Sequence, residues 1–147
     1  MKKIFSAFII LICSINPSLA LIEVDITRGN LDPLPIAVSP LHVDIKSVEI
    51  EGIKVKELGS NIASIIERNF KNTGLFNPLK KDAFVQKPDI AHLKPRFEDW
   101  RLIKAQALVT GKLLVKNGKL KVEFRLWDLT AAKEITALAF TTTPTNW

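Results

Sequence analysis

The chain has 147 residues, with 21 basic and 15 acidic side chains and a formal net charge of +6. That length suits one domain of ordinary size. The only cysteine is Cys13, which excludes an intramolecular disulfide framework and leaves stability to a packed core.

Residues 1–20 read as a secretory signal peptide. Met1-Lys2-Lys3 is a short basic start, residues 4–15 are an apolar run, and Ser18-Leu19-Ala20 is a small-x-small ending, so cleavage is expected between Ala20 and Leu21. The run is shorter than the roughly 20 residues a spanning helix needs, and Asn16-Pro17 breaks it. A lipoprotein signal would require a small residue before Cys13, where Ile12 stands. Cleavage would place the chain in a periplasm, not embedded in the membrane. There it meets no cytoplasmic ATP, nicotinamide pool or chromosome. Loss of Lys2 and Lys3 lowers the basic count from 21 to 19 and the net charge from +6 to +4. The remaining lysines, such as Lys80-Lys81, Lys112, Lys116, Lys119 and Lys121, read as solvated faces rather than a nucleic-acid stripe, so no nucleic-acid partner is expected.

In Ile22, Glu23, Val24, Asp25, Ile26 and Thr27 apolar and polar residues alternate, the pattern of a half-buried strand. Residues 28–35 hold Gly29, Pro33 and Pro35 and read as a linker, so the chain divides into 1–20, 21–35 and a domain over 36–147. Ile36-Ala37-Val38 suggests a buried strand ended by Pro40, and residues 44–54 have no firm assignment. Leu58, Ile62, Ile65, Ile66 and Phe70 recur at helical spacing, with Glu67 and Lys71 expected to pair and Gly74 to stop the helix. Ser60 is a candidate cap, with Gly59 inside the first turn as the alternative. Residues 80–95 read as a loop, and Pro95 could open a second helix burying Phe97, Trp100 and Ile103. Asn117-Gly118 predicts a two-residue hairpin turn. It sets Val115 against Leu120, Leu113 against Val122, Gly111 against Phe124 and Val109 against Leu126 on one apolar face, and Lys112 against Glu123 on the other. Residues 134–142 alternate again and predict a third strand.

The chemistry of an enzyme is missing. His42 and His92 are far apart in sequence and neither has ligand spacing, so no zinc site is expected. No G-x-S-x-G nucleophile signature occurs. Glu98 and Asp99 are adjacent, which on a helix points them in different directions. Thr110-Gly111-Lys112 lies inside a strand and lacks the rest of a phosphate loop. The expectation is a non-enzymatic binding module without cofactor or metal.

Several stretches resemble the amino-terminal domain of the TolB family. They are Asn72-Thr73-Gly74-Leu75-Phe76-Asn77-Pro78 after the amphipathic helix, Phe97-Glu98-Asp99-Trp100-Arg101 leading into Ala107-Leu108-Val109-Thr110-Gly111-Lys112, and residues 122–129, Val-Glu-Phe-Arg-Leu-Trp-Asp-Leu. Their order and spacing match as well. The resemblance implies an α/β domain, a mixed sheet with two helices packed on it, similar to an anticodon-binding domain of aminoacyl-tRNA synthetases. Likeness of fold is no ground for tRNA binding. It also implies a periplasmic adaptor of the Tol–Pal system that supports outer-membrane integrity and envelope invagination during cell division. A six-bladed propeller, which carries most of the family's Pal contact, would follow near Thr143-Pro144-Thr145-Asn146-Trp147 and is absent from this sequence. A Pal-type partner is therefore expected only where a propeller is present.

In the family the extreme N-terminal segment engages the C-terminal domain of TolA. The matching stretch is residues 21–30, with Ile22, Val24 and Ile26 as the buried set and Glu23, Asp25 and Thr27 between them. An extended segment of this kind can add to an exposed sheet edge, main-chain hydrogen bonds giving affinity. The same residues read equally as the first strand of the domain's own sheet. A stand-alone periplasmic enzyme or solute-binding domain is the competing function. A non-functional piece of a split gene is another.

Overall fold

The computed structural model describes residues 32–44 and 55–143, all in one compact unit, Leu31–Trp147. The signal segment, the expected partner-binding strand and residues 45–54 lie outside them. Strands β1 (Leu34–Val38) and β2 (His42–Val43) precede helix α1 (Val55–Thr73) and strand β3 (Phe76–Pro78). A 3-10 turn at Lys81–Ala83 leads to short helices α2 (Pro88–Ala91) and α3 (Phe97–Leu102), then strands β4 (Ala107–Lys116), β5 (Lys119–Asp128) and β6 (Lys133–Thr142). The strands form one mixed sheet in the order β3-β1-β4-β5-β6, with β2 also on β4. β1 runs parallel to β3 and β4, whereas β4, β5 and β6 form an antiparallel meander. Parallel neighbours need a crossover, and α1 supplies it between β1 and β3.

Alternation along the strands divides the core in two. Ile36, Val38, Val109, Leu113, Leu120 and Val122 pack with Leu58, Ile62 and Ala63 of α1 on one face. Ala37, Leu108 and Trp127 pack on the other face with Ala91 of α2 and Trp100 of α3. The helices thus lie on opposite faces of the sheet, giving three layers. The two indoles of the second cluster have partners. The Trp100 indole donates to Gln86 Oε1 at 2.8 Å, and the Trp127 indole donates to Thr110 Oγ1 at 2.9 Å. Arg101 Nε donates to the Leu129 carbonyl at 2.6 Å and ties α3 to the end of β5.

The hairpin register is the one the turn predicts. Val115 faces Leu120, Leu113 faces Val122, Gly111 faces Phe124 and Val109 faces Leu126. Asn117 and Gly118 take φ of 53° and 70°, as a type I′ turn requires. β6 adds to β5 with a register shift at Leu126/Trp127.

Four local expectations change. Pro35 lies in β1 rather than in the linker. Its carbonyl accepts from Gln106 N at 2.9 Å, so its missing N–H faces the same side, just short of where β4 begins at Ala107, and costs no ladder bond. Residues 80–95 are not loop throughout, since they hold the 3-10 turn at Lys81–Ala83 and α2, which Pro88 opens. Phe76–Pro78, which has no assignment from sequence, pairs in parallel with Leu34, Pro35 and Ile36. Ser60 is interior to α1 and does not cap it, since the helix begins at Val55. Glu67 pairs with Lys81 at 3.2 Å, a residue that the turn after β3 brings across the helix, rather than with Lys71. The second helix does bury Trp100, with Phe97 and Ile103 partly buried beside it. It starts at Phe97, two residues after Pro95.

Candidate functional site

On the α1 side, β5 presents Leu120, Val122, Phe124 and Leu126, whose partners in β6 are Thr142, Phe140, Leu138 and Thr136. The helix packs over β3, β1 and β2. The β5–β6 half of that face therefore keeps an open apolar strip. Ile62, Ile65, Ile66 and Phe70 of α1 form its near wall, and two hollows of about 340 and 370 Å³ lie along it. Phe124 and Phe140 meet edge to face with centroids 6.2 Å apart, yet Leu138 and Phe140 each remain 55% exposed. The opposite face of the same strands carries Lys121, Glu123 and Arg125. One side is thus built for water and the other is not.

β6 is also a sheet edge. Among the described residues it pairs with β5 alone, and residues 135–142 contain no charge and no proline. Soluble proteins usually guard long edges with such residues. An apolar strip beside an unguarded edge is the kind of surface that marks contact with another protein segment.

The other hollows offer less chemistry. One of about 520 Å³ beside α1 is lined in part by Lys81, which is engaged with Glu67 at 3.2 Å and Ser64 at 2.9 Å. Among the described residues no group of three or more His, Cys, Asp or Glu side chains could hold a metal ion. No helix among them is long and apolar enough to cross a membrane. Asp99 is held by Arg96 across one turn of α3. Lys112 and Glu123 are cross-strand partners as expected, but Lys112 reaches Asp44 at 3.9 Å and Glu123 takes Lys121 at 2.7 Å. The hydrogen bond from Lys121, with help from the charges of Lys121, Lys112 and Arg125, holds the Glu123 carboxyl below the usual carboxylate range.

The expected partner-binding residues 22–27 lie outside the described residues. The structure does bring together two residues that sequence spacing kept apart. His42 and His92 stack face to face, with centroids 4.1 Å apart and planes within 3°. Nothing in their spacing signals this, because it depends on β2 joining β4 and on α2 packing against both.

The amino-terminal domain model of TolB matches residues 22–135. Over 142 residues the chain is 61% identical to the Tol-Pal system protein TolB of Pelagibacter ubique. That match covers 95% of this chain and 32% of the relative, so the chain spans about a third of the relative's length. The crystal structure of TolB from Acinetobacter baumannii aligns with a TM-score of 0.57 and 15% identity, over 78% of this chain and 24% of that one. The C-terminal domain of LpoB from Escherichia coli aligns with a TM-score of 0.55 and 8% identity, over 79% of this chain and 87% of that one. At such low identity these two structures speak to the fold alone. The family-model match and the high identity to a TolB protein together place this chain in the TolB amino-terminal domain family.

Proposed function

We propose that this chain is a non-enzymatic periplasmic adaptor of the Tol–Pal system, acting through protein–protein contacts in support of outer-membrane integrity and invagination during division. The observation that carries the reading is the 61% identity to a Tol-Pal system protein TolB over nearly the whole chain. The chemistry agrees with it. The described residues offer an apolar strip and a sheet edge suited to protein contact.

In this proposal the signal peptide is cut between Ala20 and Leu21, and residues 22–27 then bind the C-terminal domain of TolA as an added strand. Ile22, Val24 and Ile26 would enter the interface, while Glu23, Asp25 and Thr27 alternate toward the other side. A linker over residues 28–33 would let this strand reach a partner. Pal binding is proposed only for longer chains that carry the propeller.

Deletion of residues 21–28 is expected to abolish capture of purified TolA C-terminal domain in calorimetry or pull-down. The far-UV circular dichroism of the rest should stay unchanged. A peptide of residues 21–30 should compete for the same site. Undiminished capture by the deletion variant would show that the strand is not the contact.

A further inference from the structure

We infer that the stacked His42–His92 pair is a pH-sensitive latch, which holds the segment carrying α2 against the sheet near neutral pH and releases it when the pair takes up protons.

The segment between residues 87 and 95 has few other fastenings. Its upstream end is held at Gln86, whose Oε1 accepts from the Trp100 indole and from Arg96 N. Downstream, the chain is anchored by the buried Trp100. Between these points α2 is a single turn of four residues, too short to persist on its own propensity. Ile90 and Leu93 are 49% and 70% exposed and contribute little grip. What remains is Ala91, fully buried, Pro95, buried at the downstream end, and the His92 ring lying on His42. The Pro88 carbonyl lies 3.0 Å from His92 Nδ1, so the turn itself fixes the orientation of the ring.

Two neutral imidazoles, or one neutral and one charged, stack favourably. Two imidazolium rings 4.1 Å apart repel. The surroundings do not remove that repulsion. From β4, Lys112 is the register partner of His42 and adds positive charge, and it is in turn engaged with Asp44 beyond β2. From β5, Glu123 is held by Lys121 and Arg125 by Glu134 of β6. Asp44 and then Asp89 of α2 are the acids that act on His42, and their pull is smaller than the combined effect of burial, His92 and Lys112. Burial, then His92, then Lys112 hold the His42 imidazole below its ordinary value of 6.5. A lowered value means that the closed form resists a proton the open form accepts. Closure is therefore fully favoured above about pH 6.5 and is lost as pH falls through the lowered value. Opening would uncover the small hollow of about 170 Å³ under His92 and Leu93, which is floored by Lys112, Glu123 and Arg125.

The test is hydrogen–deuterium exchange on the full chain at pH 7.5 and pH 5.0, with rates corrected for the intrinsic pH dependence of exchange. Amides of residues 90–93, which carry the hydrogen bonds of this turn, are expected to lose protection by about tenfold or more at pH 5.0. Those of β4 and β5 should be unaffected. His92→Phe keeps a stacked ring that cannot take a proton and should retain its protection at pH 5.0. The wild-type comparison stands without any variant, and an NMR titration of the two histidine rings adds an independent reading. Unchanged protection in the wild type, an equal loss in His92→Phe, or two rings that titrate independently of each other would each overturn the latch.

Discussion

Trp100→Ala is expected to cost about 3–5 kcal/mol, the usual loss for removing a large aromatic side chain from a packed core. Trp100 is 1% exposed and packs edge to face on Phe84 with centroids 5.0 Å apart. Its indole also donates to the buried Gln86 Oε1. Truncation therefore opens a cavity and removes a donor from a buried acceptor in one step. Against a total stability of roughly 5–15 kcal/mol, the loss is a large fraction. A thermal melt followed by circular dichroism should show the midpoint fall by about 12–20 °C for a domain of this size. Trp100→Phe should fall by much less, since most of the apolar volume stays and Gln86 Oε1 keeps its bond from Arg96 N. A drop of under 5 °C for Trp100→Ala would mean that this cluster is not a principal support of the fold.

Gly59→Ala is expected to destabilise, against the rule for helix interiors. Replacing a helical glycine by alanine ordinarily gains about 1 kcal/mol. At this position the added Cβ would lie 2.4 Å from the Leu41 carbonyl oxygen and 3.2 Å from a Val43 methyl. The obstructing atom is backbone and cannot rotate away. The same contact carries a hydrogen bond from Leu41 N to the Gly59 carbonyl at 3.2 Å. Overpacking costs about 1–3 kcal/mol, sometimes more, and this clash belongs at or above the top of that range. A net loss of about 2 kcal/mol is expected in urea unfolding. Ser60→Ala, one residue along on the exposed side, should stay within about 0.5 kcal/mol of the parent. A stabilised Gly59→Ala would show that α1 can move off Leu41 and β2 at no cost.

This glycine shows how far the sequence could be read. The apolar periodicity of Leu58, Ile62, Ile66 and Phe70 identified the helix and its buried side. It gave no hint that the helix backbone touches the connection between β1 and β2, because that contact joins residues 18 positions apart. The candidate surface divides in the same way. The apolar side of β5 followed from the turn and from strand alternation. That the strip beside α1 stays uncovered could not be read, because it depends on where α1 settles on the sheet. The histidine stack was out of reach for the same reason.

The sequence by itself determined what short-range rules control. The Asn117-Gly118 turn set the register of ten residue pairs, because its backbone twist admits one pairing. Alternation assigned each residue of the meander to a face. Ordered motifs named the TolB family, to which the family model assigns residues 22–135. Only the tertiary structure decided that the helices take opposite faces of the sheet, that Phe76–Pro78 joins it as a parallel strand, and that Glu67 pairs with Lys81. Each of these joins segments distant in the chain. Their choice is made by burial summed over the whole core, which no local pattern of residues encodes.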